Sequence, residues 1–268
     1  NTDEGATEAW TFTTAKQFGD INWFAGYTKM RATDIFELTS AQSESSYGRS
    51  VRADGENIVA ARSNFMSEHK LITGLDYTTQ LIGNNDTRFS LVYVRKSGEP
   101  YSVTFDGYDD AFANDRSDGG YDAAYIPTGA SDPNVVFSSS AVADAVMAHV
   151  NGSGLAGYKG RIVPRNAFNS PWTSSLDLRI TQDINVMDGH KVILYLDITN
   201  VLNLIDDDKG IMKEYSNRSR QIILDEDNPY DSQGRYNIVG VDPDDGLFVR
   251  NKDGQSSYQW NLGFKYQF

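Results

Sequence analysis

The 268-residue sequence contains no cysteine, which excludes disulfide bonds and thiolate metal sites. No stretch approaches the run of about 18 apolar residues that a membrane-spanning helix needs, so such a helix is excluded as well. Positive charge is in the minority, because 24 Lys and Arg face 37 Asp and Glu and the net charge is −13. Phosphate binding needs clustered Lys and Arg, so we expect no nucleic acid partner.

Signals of catalysis are also missing. The three histidines, His69, His149 and His190, lie in separate segments without the spacing of a metal-binding motif, and no Gly-x-Ser-x-Gly elbow occurs. Acidic residues are abundant, and composition therefore permits a carboxylate pair for glycoside hydrolysis, but no pattern places two of them together. We expect a protein that is not an enzyme.

The end of the chain carries the clearest pattern. Every second residue there is aromatic or aliphatic, and those between are polar or Gly; the apolar set is Tyr258, Trp260, Leu262, Phe264, Tyr266 and Phe268. Successive side chains of a strand point to opposite faces, so this strand has one apolar and one polar face. Such a strand suits a wall between lipid and water. The alternative is the last strand of a soluble sandwich with its aromatic residues in the core.

Three earlier segment pairs have the same alternation around a short turn. The predicted hairpins are 9–18 with 21–31, 71–81 with 89–94, and 174–187 with 191–204. Their turns contain Gly19, Gly83 and Gly189, and a glycine-containing turn between alternating runs indicates a hairpin. Long loops, at about 38–63, 106–171 and 205–255, separate the hairpins from one another and from the last strand. Residues 138–149 predict a short capped helix inside the second loop.

Short turns on one rim and long loops on the other are typical of outer-membrane barrels. We therefore predict an all-β fold, an antiparallel up-and-down transmembrane β-barrel of which this chain supplies seven strands. Seven is an odd number, and an open sheet in lipid would leave its edge strands unpaired. We expect residues 1–268 to be the C-terminal part of one larger barrel domain, whose other strands lie outside this sequence.

Three motifs carry a resemblance to a known family. They are RIVPRNAFNSPW at 161–172, LDLR at 176–179 and LDITNVLN at 196–203. Together with the aromatic last strand they resemble the C-terminus of TonB-dependent outer-membrane receptors, and most closely the OmpA-related Oar-like group. Trp260, Phe264, Tyr266 and the terminal Phe268 resemble the signal that the barrel assembly machinery of Gram-negative bacteria recognises.

The resemblance implies a barrel of about 22 strands, holding an N-terminal plug and drawing energy from TonB. The plug and the TonB box would lie outside this chain. Its partners would be the rest of the barrel, the plug, TonB through the plug, and the lipid and lipopolysaccharide of the bacterial outer membrane.

The expected function is uptake or exchange of a peptide, protein or glycan, with the long loops outside for recognition. One alternative is a secreted soluble β-protein that binds carbohydrate or acts as an adhesin. Another is a purely structural outer-membrane protein without a plug.

Two groups of residues are candidate sites. Asp177, Arg179 and Asp197 fall on the predicted lumen face of neighbouring strands, where they form a charge network that stabilises the wall, or else contact a plug or solute. Trp10 and Trp172 are predicted to mark the interface belt at the rim.

The third loop is acidic, and its carboxylates suggest weak Ca²⁺ binding or cation-bridged contact with lipopolysaccharide. They match no EF-hand spacing; the residues are Asp206, Asp207, Asp208, Asp242, Asp244 and Asp245. We predict no other cofactor and no defined metal site.

Overall fold

The computed structural model describes residues 4–36, 40–53, 59–106, 121–216, 218–250 and 255–268. The protein is mostly β, with one long antiparallel sheet. Its strands are β1 (Ala6–Phe18), β2 (Ile21–Asp34), β3 (Ala61–Arg62), β4 (His69–Ile82), β5 (Asn85–Lys96), β6 (Pro100–Asp106), β7 (Tyr125–Ile126), β8 (Val135–Phe137), β9 (Arg161–Ile162), β10 (Phe168–Asn169), β11 (Thr173–Met187), β12 (His190–Thr199), β13 (Lys213–Tyr215), β14 (Arg218–Leu224), β15 (Tyr236–Val241), β16 (Leu247–Val249) and β17 (Gln259–Gln267).

The helices are α1 (Ser43–Gly48), α2 (Ser140–Gly152) and α3 (Val201–Ile205), and a 3-10 helix spans Gly154–Tyr158. None of the helices in the described ranges is long and apolar enough to cross a membrane.

The long sheet has the strand order β1-β2-β4-β5-β11-β12-β17, and the short β3 pairs with the end of β2. These seven strands are the three predicted hairpins and the predicted last strand. Each hairpin turn contains a glycine with positive φ: Gly19 at +59°, Gly83 at +56° and Gly189 at +80°. A side chain would be strained there, which is why glycine marks the turns in the sequence. Among the described strands, β1 and β17 each pair on one side only and form the two edges of the sheet.

The prediction for β12 was too long. The strand ends at Thr199 instead of residue 204, and α3 follows at once. The cause is Asn200, whose φ of 55° places it in the left-handed region and turns the chain out of the sheet. Asn tolerates this conformation better than most residues.

The long loops are not structureless. They contain a second sheet with the strand order β10-β6-β14-β15-β8, in which β14 pairs with β6 and β15 with β8 in parallel. We call the described residues of 100–106, 121–169 and 213–250 the loop unit. This unit holds an apolar core: Tyr101, Val103, Phe105, Ala124, Tyr125, Ile126, Val135, Val146, Val150, Leu155, Val163, Ile222, Leu224 and Ile238.

The predicted helix inside the second loop is confirmed as α2, displaced by two to three residues toward the C-terminus. The side chain of its N-cap, Ser139, accepts a hydrogen bond from the Val142 main-chain N–H at 3.2 Å. Its buried face, formed by Ala143, Val146 and Val150, packs against the second sheet.

Candidate functional site

One face of the long sheet is mostly apolar, with few polar residues, among them Lys16, Thr87 and Gln182. The strand register aligns these residues in rows across the sheet. In one row, Lys16 of β1 is followed by Trp23, Leu75, Leu91, Leu178, Ile198 and Trp260; the next row is Phe18, Ile21, Tyr77, Phe89, Ile180, Leu196 and Leu262. We call this face the apolar belt. It continues over all seven long strands because alternation and register agree in each of them.

The apolar belt is open to its surroundings. Phe12 is 69% exposed on β1, and Leu262 and Phe264 are 73% and 72% exposed on β17. Exposed apolar residues are ordinary when scattered singly, but contiguous patches beyond a few hundred Å² mark interaction surfaces or membrane contact. By this criterion the belt is a candidate surface for interaction or membrane contact.

Aromatic side chains with polar partners gather at the long-loop end of the belt. His69 stacks between Tyr27 and Trp172, with ring centroids 6.1 and 5.9 Å apart, and Arg95 lies 5.4 Å from the Trp172 ring centroid. The Tyr27 hydroxyl and His69 Nδ1 are 2.7 Å apart. Side chains with an apolar body and a polar tip suit a membrane–water boundary. Trp172 and Trp10 are half or more exposed near this rim, and their place in an interface belt stays a prediction.

The other end of the belt has a similar composition. Tyr77 stacks on Phe89, and the hydroxyl of Tyr266 lies 2.5 Å from His190 Nδ1. His190 is half-buried against the Tyr266 ring. Phe268 is 92% exposed at the end of the chain.

The four residues of the proposed assembly signal are therefore exposed together along β17. Trp260, Phe264 and Tyr266 pair across the register with residues of β12, and Phe268 follows the strand. Their recognition by the assembly machinery stays a prediction.

The opposite face of the sheet carries charges. Arg179 and Asp197 are directly opposite on β11 and β12, and Arg179 Nε and Nη2 donate to the Asp197 carboxylate at 2.5 and 2.8 Å. This two-bond geometry is the strongest form of an Arg–carboxylate contact. The two residues form an ion pair across the strands, and their place on a lumen face stays a prediction.

Asp177 does not extend that ion pair. Its carboxylate accepts a hydrogen bond from the main-chain N–H of Asn200 at 2.9 Å. The Asn200 amide in turn donates to the Gly210 and Gln255 carbonyls. Asp177 therefore holds the point where the chain leaves β12, which corrects its predicted place in a three-residue charge network.

A second charged cluster lies near the short turns and was missed in the sequence. Asp183 is only 5% exposed, and its carboxylate is within 3.3 Å of Arg88 Nη2 and 2.9 Å of Lys191 Nζ. Arg88 also pairs with Asp86 at 3.1 Å. These residues come from three neighbouring strands. They are brought into contact by the pairing register of those strands, which cannot be predicted from the sequence.

Two glycines on this face lie beneath aromatic rings of the adjacent strand. A Cβ at Gly74 would collide with the Phe24 ring, and one at Gly263 would collide with the Tyr195 ring. Gly74 pairs with Phe24 and Gly263 with Tyr195 in the strand register. Each ring fills the space that its glycine leaves empty.

The motif around residue 165 ties the loop unit to the sheet. Arg165 Nη2 donates to the Asp34 carboxylate at 2.7 Å and to its main-chain carbonyl at 2.6 Å. Asn166 is fully buried with φ of 57°, and it exchanges hydrogen bonds with Ser102 and Arg62. These contacts join β2, β3 and β6.

The acidic residues of the third loop mostly serve local turns. Asp206 accepts from the Asp208 main-chain N–H and lies 3.0 Å from Lys209 Nζ; hydrogen bonding to Lys209 is the main reason why the pKa of Asp206 falls below its usual value. The Asp207 carbonyl accepts from the Asn203 amide.

In the second acidic run, Asp242 serves a local turn, whereas Asp245 contacts Arg220 of β14. Asp242 accepts from the Asp244 main-chain N–H, and Asp245 accepts from the Arg220 main-chain N–H. In the described part of the chain, no three His, Cys, Asp or Glu side chains gather closely enough to hold a metal ion. Ca²⁺ binding and lipopolysaccharide contact stay predictions.

Comparison with known proteins finds no matching family model, no matching curated protein and no matching solved structure. The molecule itself offers three features that bear on function: an open apolar belt on one face, a charged face behind it, and a folded loop unit at one rim.

Proposed function

We propose that this chain forms part of the wall and the outer recognition region of a bacterial outer-membrane transporter of the TonB-dependent type. The observation that carries the proposal is the apolar belt, which spans seven antiparallel strands and is backed by a charged face. A barrel wall needs that combination, because lipid contacts one side of each strand and water the other.

The edges of the sheet support the same proposal. In lipid, every main-chain N–H and C=O needs a hydrogen-bond partner, because each unsatisfied group costs several kcal/mol. An unpaired strand edge is therefore too costly to exist there. The outer edges of β1 and β17 are where further strands, of this chain or another, would pair to close the barrel. On the charged face, the Arg179–Asp197 pair then lines the lumen, where it stabilises the wall or contacts a plug.

The loop unit gives the proposal its recognition surface. It lies at the rim opposite the short turns, which is the outer side in such barrels. Its own apolar core makes it a rigid platform, and a rigid scaffold places binding residues more accurately than a loose loop. The transported solute would be a peptide, protein or glycan, moved inward with a plug and TonB.

The test compares two neighbouring residues of β17. Leu262→Arg places a charge on the apolar belt, while Asn261→Arg places the same charge on the opposite face, and both positions are exposed. We expect Leu262→Arg to cost about 2–4 kcal/mol if it lies near the bilayer midplane, and Asn261→Arg much less. The readout is the amount of folded protein in the outer-membrane fraction, together with its stability in detergent.

In water, exposed substitutions usually change stability by no more than about 0.5 kcal/mol. Equal tolerance of both variants, in a protein that stays dissolved without detergent, would overturn the membrane proposal. The soluble carbohydrate-binding or adhesin module would then take its place.

A further inference from the structure

The loop unit has a small hollow between α2, the 3-10 helix and the strands β6, β10, β13 and β14. Its volume is about 110 Å³, and its lining includes Gly154 and Pro243, which are exposed, so it opens to the surface. An apolar cavity of about 150 Å³ holds a benzene molecule, whereas whole ligands usually occupy about 300–1,000 Å³. The hollow therefore has room for one six-membered ring at the end of a larger ligand.

Three aromatic residues form much of its wall, and we call it the aromatic hollow. The Tyr101 ring stacks on Tyr215 with the centroids 4.2 Å apart, and it lies 5.8 Å from the Phe168 ring. Tyr101 is buried, while Phe168 and Tyr215 are half-buried. A Cβ at Gly154 would come within 2.9 Å of the Phe168 ring. Close packing therefore holds the aromatic wall in place before any ligand arrives.

Polar groups meet between these rings. Gln221 is 4% exposed, its Nε2 donates to Ser219 Oγ at 2.9 Å, and its Oε1 lies 2.9 Å from His149 Nε2. An amide oxygen only accepts, so His149 Nε2 donates here, and Nδ1 of the neutral ring is left as an acceptor. Burial is the main reason why the pKa of Tyr101 rises to about 12, which keeps its hydroxyl protonated and able to donate. The hollow thus has both donors and acceptors.

The lining has no formal charge at its carboxyl or basic side chains, because none of the described lining residues is an Asp, Glu, Lys or Arg. Two carboxylates, of Asp242 and Asp244, flank Pro243 in the chain. Burial, and after it the negative charge of Asp244, raises the pKa of Tyr215. Like charges in contact are unfavourable, so this surrounding disfavours an anion. A neutral ligand fits the lining best.

We infer that the aromatic hollow binds one ring of a neutral carbohydrate. A pyranose ring packs its C–H groups against aromatic rings, and its hydroxyl groups both donate and accept hydrogen bonds. An apolar side chain of a peptide would instead remove polar groups such as His149 from water without a compensating hydrogen bond, which is costly. The inference rests on the proposed function, since it selects a glycan among the solutes that the loop unit would recognise.

The experiment is saturation-transfer difference NMR on the purified native protein, in a detergent without a sugar headgroup. The probes are the methyl glycosides of glucose, galactose, mannose and N-acetylglucosamine, each titrated to obtain its Kd. We expect at least one of them to bind with a Kd on the order of 1 mM, which is usual for a ligand of that size. Its uronic acid counterpart, in which a carboxylate replaces the C6 hydroxymethyl group, should bind at least about fivefold more weakly.

Two variants of α2 connect binding to the hollow. His149→Ala removes a hydrogen-bonding group of the lining and should weaken binding of the glycoside at least about fivefold. Asp144→Ala changes an exposed residue of the same helix outside the lining and should leave binding unchanged. Circular dichroism of both variants shows whether the fold is intact.

Saturation by none of the four glycosides, or equal losses in His149→Ala and Asp144→Ala, would overturn the inference. Tighter binding of N-acetyltyrosine amide than of every glycoside would also overturn it, in favour of a peptide side chain. A protein that lies in the outer membrane but binds no glycoside refutes the hollow as a site and leaves the transporter standing. A protein that binds a glycoside but dissolves without detergent refutes the transporter and leaves the site standing.

Discussion

At the scale of single residues, buried polar groups decide how the loop unit is held. Asp132 is 4% exposed, and its carboxylate accepts hydrogen bonds from the main-chain N–H groups of Thr128 and Asn134 and from the hydroxyls of Thr128 and Tyr125. Burial raises the pKa of Asp132, but these hydrogen bonds outweigh it, and the pKa lies below its usual value.

Asp132→Asn should therefore destabilise the loop unit at neutral pH by about 1–3 kcal/mol, because buried donors lose a charged acceptor. The folded-state pKa is lowered, so this stabilisation is present above the ordinary value of about 3.9 and is lost as the pH falls through the folded-state pKa. Hydrogen exchange of residues 125–135 measures the effect. Asp144→Asn, at an exposed position on α2, is the control. A difference from wild type that persisted undiminished at strongly acid pH would contradict this account.

The residues that carried the family resemblance have structural roles in this chain. Asn166 and Asn200 both adopt left-handed backbone conformations, and Asp177 and Arg165 secure the segments next to them. A short sequence can indicate that such residues belong together in a motif. It cannot say which main-chain atoms they bind, because those atoms come from distant parts of the chain.

At the scale of elements, α2 depends on its first turn. Ser139→Ala removes the side-chain acceptor for the Val142 N–H, and we expect a loss of about 0.5–2 kcal/mol, the usual cost of deleting an N-cap. Ser140→Ala, one residue further at an exposed position, should have little effect. Hydrogen exchange along α2 distinguishes the two. Equal protection in both variants would rule out the cap as a source of stability.

The elements also show what the sequence could and could not predict. The long strands were predictable because ten or more alternating residues and a glycine turn are local signals, and β1, β2 and β4 lie close to their predicted bounds. The loop unit was missed because its strands are two to seven residues long and pair across distant segments, as β6 does with β14. Short runs of this kind have too few residues to reveal their period.

The features of the candidate site also differ in whether a local sequence pattern predicts them. The belt and the Arg179–Asp197 pair follow from alternation and from a hairpin register that its turn determines. The Asp183 cluster needs contacts between neighbouring hairpins, which no local pattern specifies.

At the scale of the whole molecule, two bodies of different construction share one chain. The long sheet has its apolar side chains on an open face, whereas the loop unit buries its own in a core. We expect two unfolding transitions in denaturant, since the loop unit is stabilised by its interior, whereas under the proposed function the sheet is stabilised by the surrounding lipid or detergent.

Leu224→Ala should separate the two transitions. Leu224 is completely buried in the loop unit, and a Leu→Ala change in a core costs about 2–5 kcal/mol. The loop-unit transition should move to lower denaturant while that of the sheet stays in place, as followed by hydrogen exchange in the two regions. A single transition that shifts as a whole would instead mean that sheet and loop unit unfold as one cooperative body.

The rings that lie over Gly74 and Gly263 have a consequence for assembly. A shift of two residues between neighbouring strands keeps every side chain on its face, and the belt, which is mostly apolar, distinguishes the shifted pairing only weakly from the native one. The rings do distinguish it. After such a slip, Phe24 would meet Ile72 or Asp76, and Tyr195 would meet Asn261 or Lys265. Only in the native alignment does each ring lie over a residue without a side chain. The two glycine–aromatic pairs therefore disfavour a register shift that the apolar belt alone would permit.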